Sequence, residues 1–351
     1  MSINFNLLKQ ISEAPGAPGY EDPIRKLIIQ EIEKWVDHIE VDNMGNIIAL
    51  KKGEERKKVM VAAHMDEIGF IINHIDEKGF LHFIPLGGFD PKTLTSQRVV
   101  VHGKEDLIGV MGSKPVHVMS EEEKKRAPKV DDYFIDMGMS KEEVEKYIQV
   151  GDPVTREREL IEMGDCVNGK SLDNRISVFV LIEALKLLAS ETIPYDLYAV
   201  FTVQEEVGIR GAQVATQHVQ PDFGLAIDTT IAFDVPGSKP QEQVTQLGGG
   251  VAVKIMDSTA LADARMIKYL KKTAAEQEIK WQPELLAKGG TDTAMVQRMT
   301  KAGSIAGAIS IPTRHIHQVI ETIHKEDIQN SIQLLKHSLV KWKDFDWKYE
   351  K

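Results

Sequence analysis

Hydrophobic positions along the chain repeat with two different periods. Over residues 21–36, EDPIRKLIIQEIEKWV, the apolar residues Ile24, Leu27, Ile28, Ile32, Trp35 and Val36 recur at three- and four-residue spacing. That spacing predicts an amphipathic helix, with Pro23 accommodated in its first turn. Asn43 to Gly45 read as a turn leading into a short strand, NIIALKKG, and KVMVAA at 58–63 is apolar on both faces, as expected of a strand central in its sheet. From about 69 to 164 the texture changes. Short apolar segments (FIINHI, FLHFIPL, QRVVVHG, LIGVMG) alternate with glycine-bearing turns, which predicts a small β-rich unit. Within it, SEEEKKRAPK at 120–129 reads as a solvated loop and 140–148 as a short helix capped by Ser140.

After Gly164 strands and helices alternate. Asn174 to Leu188 is expected to be a helix burying Ile176, Val180, Leu181 and Ala184. DLYAVFTV is expected to be a strand ending at Gln204-Glu205-Glu206, and FGLAI one ending at Asp228. GVAVKIM, a helix over 259–276, the strand SIAGAISI at 304–311 and a closing helix carrying Ile328, Ile332, Leu335 and Leu339 complete the pattern. The expected architecture is α/β: a mixed, largely parallel sheet with helices on both faces, interrupted by a small inserted β-rich domain. The boundaries are 1–68 plus 165–351 for the discontinuous main domain and 69–164 for the insertion.

Composition narrows the partners. A chain of 351 residues exceeds one typical domain of roughly 150. With 53 Asp and Glu against 43 Lys and Arg, the net charge of −10 argues against nucleic-acid binding, which needs a basic face. Cys166 is the single cysteine, so no internal disulfide can form and a reducing, cytoplasmic setting is expected. The N-terminal MSINFNLLKQ lacks the apolar run of a signal peptide, and no later segment approaches the roughly 18 apolar residues of a membrane span.

The ionisable residues fall where chemistry is expected. His64 and Asp66, Glu205 and Glu206, Asp228, and His315 with His317 each follow a predicted apolar strand, while Asp173 sits where a helix begins. In an open α/β sheet the carboxyl ends of the strands line the ligand crevice. Each piece alone is weak, since a strand exit or a helix cap explains it. Adjacent carboxylates beside a core strand, however, are costly to desolvate unless a cation compensates. Two histidines with three or four carboxylates suit a pair of divalent ions, zinc first, with cobalt or manganese as alternatives. Asp66, two residues beyond His64, is placed to hold the imidazole in one tautomer.

These segments resemble the cytosolic co-catalytic di-metal aminopeptidases that assemble as tetrahedral dodecamers, the glutamyl/leucyl-type TET peptidases. The motifs that carry the resemblance are Ala63-His64-Met65-Asp66-Glu67-Ile68-Gly69, Gly169-Lys170-Ser171-Leu172-Asp173-Asn174-Arg175 and Gln204-Glu205-Glu206-Val207-Gly208. Ala226-Ile227-Asp228, Gly289-Gly290-Thr291-Asp292 and Arg314-His315-Ile316-His317 continue it in order, with Gly109 to Pro115 and Gly151-Asp152 in the insertion. The resemblance implies Asp173 as a carboxylate bridging both ions, His64 and Asp228 completing one site, and Glu206 and His317 the other. It implies Glu205 as general base and acid, short peptides as substrates, and an insertion that forms dimers on the way to a dodecamer. The family usually has Tyr where His315 stands, so two histidines compete for one role; register favours His317. A deacylase acting on blocked substrates and a non-enzymatic, metal-containing oligomeric scaffold are the rival readings.

Overall fold

Four strands run parallel at the centre of the molecule, in the order Tyr195–Thr202, Glu55–His64, Phe223–Ile231 and Ile305–Arg314. They belong to an 11-stranded sheet in a computed structural model that describes residues 3–349. Alternation along one strand explains why the centre is apolar on both sides. Val59, Val61 and Ala63 join one buried cluster, with the helices Phe5–Glu13, Asp22–Ile32, Leu172–Leu187, Ala264–Glu276 and Lys325–Val340. Met60 and Ala62 join another, with Ala215 and Val219 of the helix Arg210–Val219 and Val296 of Thr293–Arg298. Helices therefore cover both faces, as a buried parallel core requires. The helix Leu172–Leu187 is buried almost all round, from Leu172 to Ile182 without a break, so it sits inside the main domain rather than on its surface.

Among the described strands, parallel pairing lies at that centre and between Val251–Met256 and Trp281–Leu285. The flanks are antiparallel: Ile47–Lys51 pairs with Tyr195–Thr202, and Glu321–His324 with Ile305–Arg314. The sheet is thus mixed around a parallel centre, as the strand–helix alternation predicts. Short returns make the flanks antiparallel, because His38–Val41 to Ile47–Lys51 and Ile161–Met163 to Cys166–Gly169 turn too tightly for a crossover.

Between residues 69 and 156 six strands close into a barrel, in the order Gly69–Ile75, Leu81–Leu86, Tyr133–Asp136, Asp106–Ser113, Arg98–His102 and Pro153–Arg156. It has its own core, including Phe70, Phe83, Val99, Val101, Met111 and Ile135.

Several elements differ locally from expectation. The helix expected over 21–36 is Asp22–Ile32; Trp35 and Val36 still pack on the core, but the chain has already turned towards the strand at His38. The charge run at 120–129 is not all loop. Glu121–Lys125 forms a helical turn, because Glu123 N–H donates to Ser120 Oγ (3.2 Å) and Ser120 N–H to Glu123 Oε2 (2.7 Å). The helix expected from 259 starts at Ala264, where the Asp263 carboxylate accepts from Arg265 N–H (2.9 Å). Asp228 does not follow a strand end: its strand continues to Ile231.

Candidate metal centre

Sheet register brings the first two site residues level. Ala226 pairs with Ala62 in the parallel ladder, so Asp228 and His64, each two residues further on, lie side by side on one face. On the other neighbour Thr202 pairs with His64, and the chain leaves that strand through Gln204, Glu205 and Glu206. Asp173 enters from the start of the long buried helix, where its φ of −79° and ψ of 107° are not helical. His317 comes from the turn after Ile305–Arg314.

Asp173 stands between two groups of ligand atoms. His64 Nε2 lies 3.5 Å from Asp173 Oδ1 and 3.6 Å from Asp228 Oδ1. On the other side His317 Nε2 lies 3.1 Å from Asp173 Oδ2 and 3.4 Å from Glu206 Oε2. His315 is exposed and joins neither group. Glu205 also belongs to neither, yet its Oε2 is 4.0 Å from His64 Nε2.

Electrostatics test whether cations fit here. Burial pushes the Glu206 carboxyl up to about 8, with Asp173 adding to the rise, and burial lifts Glu205 well above the usual carboxylate range. Burial raises Asp228 in the same direction. Burial opposes charge on His317 as well, but Glu206 and Asp173 beside it lift it to about 10. Without cations, protons must therefore neutralise this crowd of carboxylates. Glu206 Oε1 is buried with no hydrogen-bond partner, an expensive state that a cation relieves. Two donors each about 2.1 Å from a tetrahedral ion lie roughly 3.4 Å apart, which matches the separations around Asp173. The residues fit two divalent ions.

The sequence reading missed much of the scaffold behind these ligands. Asp66 does approach His64 Nδ1 (3.4 Å), but its carboxylate also accepts from Glu205 N–H and Glu206 N–H, both at 3.1 Å. Glu21 accepts from the neighbouring Gln204 N–H (3.2 Å). Glu321 spans the other side, accepting from Asp173 N–H at Oε2 (2.8 Å) and His317 N–H at Oε1 (3.1 Å). Beneath Asp173 the buried Glu67 pairs with Lys170 (2.7 Å) and Arg175 (3.7 Å) and accepts from Ser171 Oγ. These carboxylates fix the backbone from which the ligands project. Asp66 and Glu67 lie in a recognised motif, whereas a one-dimensional pattern gives no sign of the N–H groups that Glu21 and Glu321 meet.

A cavity of about 480 Å³ is lined by the two groups and Glu205, with Gly289, Gly290 and Thr291 in its wall. The neighbouring Asp292 is buried behind that wall, where Thr202 Oγ1 donates to its Oδ2 (2.5 Å).

The model of the M42 glutamyl aminopeptidase family matches residues 45–334. The chain belongs to that family. An aminopeptidase relative from Acetivibrio thermocellus is 39% identical over 336 residues, covering 95% of this chain and 98% of its own. The structure of an aminopeptidase from the archaeon Desulfurococcus kamchatkensis superposes with a TM-score of 0.91 at 39% identity, covering 95% of this chain and 94% of that one. The TET1 peptidase of Pyrococcus horikoshii, described as assembling into a tetrahedron or a large octahedral shell, gives a TM-score of 0.86 at 32% identity, covering 95% and 98%. As an M42 protein the chain is a hydrolase of the aminopeptidase class, and its two His/Asp/Glu groups are sites for two divalent cations per subunit.

Proposed function

We propose that this protein removes the N-terminal residue from short peptides, with His64, Asp173 and Asp228 holding one cation and Asp173, Glu206 and His317 the other. The observation that carries the reading is Glu205, a mostly buried carboxylate beside His64 that neither ligand group uses. When bound, the cations supply Lewis acidity that polarises the scissile carbonyl and acidifies water. Glu205 accepts the proton of the attacking water on a carboxylate oxygen and returns it to the leaving amine nitrogen. Asp66 positions this base, because it holds the Glu205 and Glu206 amides and orients the His64 ring. A free substrate α-amine sits beside the carboxylates of the site, while the apolar wall of the same cavity takes the first side chain. Zinc suits the nitrogen and oxygen donors, and cobalt or manganese can replace it.

Assembly and location follow the same family logic. The barrel exposes Ile84 (51%), Ile108 (54%), Val116 (58%) and Val118 (65%), apolar side chains that a partner surface would cover. Together with the assemblies described for the Pyrococcus horikoshii relative, this supports an insertion, 69–164, that forms dimers and builds towards a dodecamer. No helix among the described residues is long and apolar enough to cross a membrane, and one cysteine in the whole chain supports a cytoplasmic setting.

Matched peptides with free and N-acetylated termini separate this reading from a deacylase. The free forms are expected to be cut and the blocked forms spared, with activity lost on chelation and restored by zinc, cobalt or manganese. Preference for blocked substrates favours the deacylase, and no hydrolysis under any metal favours the scaffold.

A further inference from the structure

We infer that the cavity holding the metal centre selects an uncharged aliphatic N-terminal residue, leucine or methionine rather than glutamate. The inference rests on the aminopeptidase reading and adds the class of side chain to it. Ile209, Ile231, Leu286 and Ile316 contribute apolar wall to the cavity, and all four are only partly exposed.

Two lysines also line it, and they decide between acidic and apolar occupants. Lys254 is 1% exposed, and its ammonium is already paired with Glu284 Oε1 (2.5 Å) and Asp257 Oδ2 (3.5 Å). Thr230 Oγ1 donates to the same Glu284 oxygen (2.8 Å) and Thr291 Oγ1 to Asp257 Oδ2 (3.0 Å), while Glu284 Oε2 stays buried without a partner. Two carboxylates against one ammonium leave no positive charge there for a substrate carboxylate, which would be desolvated without compensation. Lys288 is exposed at the rim, where an ion pair in water is worth at most about fivefold in affinity. Burying a leucine side chain against the apolar wall is worth roughly thirtyfold.

The test compares kcat/KM for leucyl-, methionyl- and glutamyl-p-nitroanilide on the metal-loaded enzyme. Leucine and methionine are expected to exceed glutamate by at least about sixfold, roughly thirtyfold from apolar burial against at most about fivefold from Lys288. Leu286→Arg, which adds an unpaired cation to the wall, is expected to shift the glutamate-to-leucine ratio at least about tenfold towards glutamate. A wild-type enzyme that favours glutamate, or an unchanged ratio in Leu286→Arg, overturns the inference. If no p-nitroanilide is cut, the aminopeptidase reading fails instead, and calorimetry with free L-leucine and L-glutamate still decides the pocket. Tighter leucine binding supports the inference, and equal or tighter glutamate binding overturns it.

Discussion

Glu205→Gln is expected to lower kcat by roughly 10³-fold while both cations stay bound. Glutamine keeps the size of the side chain but cannot take a proton at the oxygen that faces the reacting water. Binding should survive, because Glu205 contributes to neither ligand group and its backbone amide stays on Asp66. Steady-state rates together with metal analysis check both halves. Near wild-type turnover removes Glu205 from proton transfer, and loss of a cation makes it a ligand rather than a base.

Asp173→Ala is expected to have the larger effect on composition, because one carboxylate serves both groups. Its two oxygens face different histidines, Oδ1 towards His64 and Oδ2 towards His317. Residues that merely orient metal ligands already change affinity about 10- to 100-fold, so removing a shared ligand should weaken both ions by at least about 100-fold. His317→Ala and Asp228→Ala should each strip one ion and spare the other. In the metal-free chain the Asp173 carboxylate pairs with His64 and His317, so the variant also loses some stability, which the folding control must register. Mass spectrometry under native conditions, with circular dichroism as the folding control, reads this out. An Asp173→Ala protein that keeps both ions refutes the bridge.

Which parts of this arrangement can be read from sequence follows from how each is encoded. KVMVAA marks a central strand because burial on both faces writes a continuous apolar run, and His64 stands where that run ends. Asp228 was legible as a neighbour of an apolar segment, but not its place inside the strand, since Thr229 to Ile231 carry no strong pattern. Short elements were weakest. The helix Phe5–Glu13 buries Leu7, Leu8 and Ile11 within nine residues, too brief a repeat to stand out. His315 and His317 both follow the strand Ile305–Arg314, with φ of 63° and 58°, and strand alternation cannot be carried through such a turn. Only spatial proximity shows His317 facing Asp173 and His315 facing out. Glu21 and Glu321 were invisible for a related reason: their partners are backbone N–H groups, which every residue type but proline supplies.

Anomalous diffraction from zinc-loaded crystals tests the central claim most directly. The account predicts two peaks per chain flanking Asp173, one among His64, Asp173 and Asp228 and the other among Asp173, Glu206 and His317. A lone peak, or peaks that do not share Asp173, would contradict it.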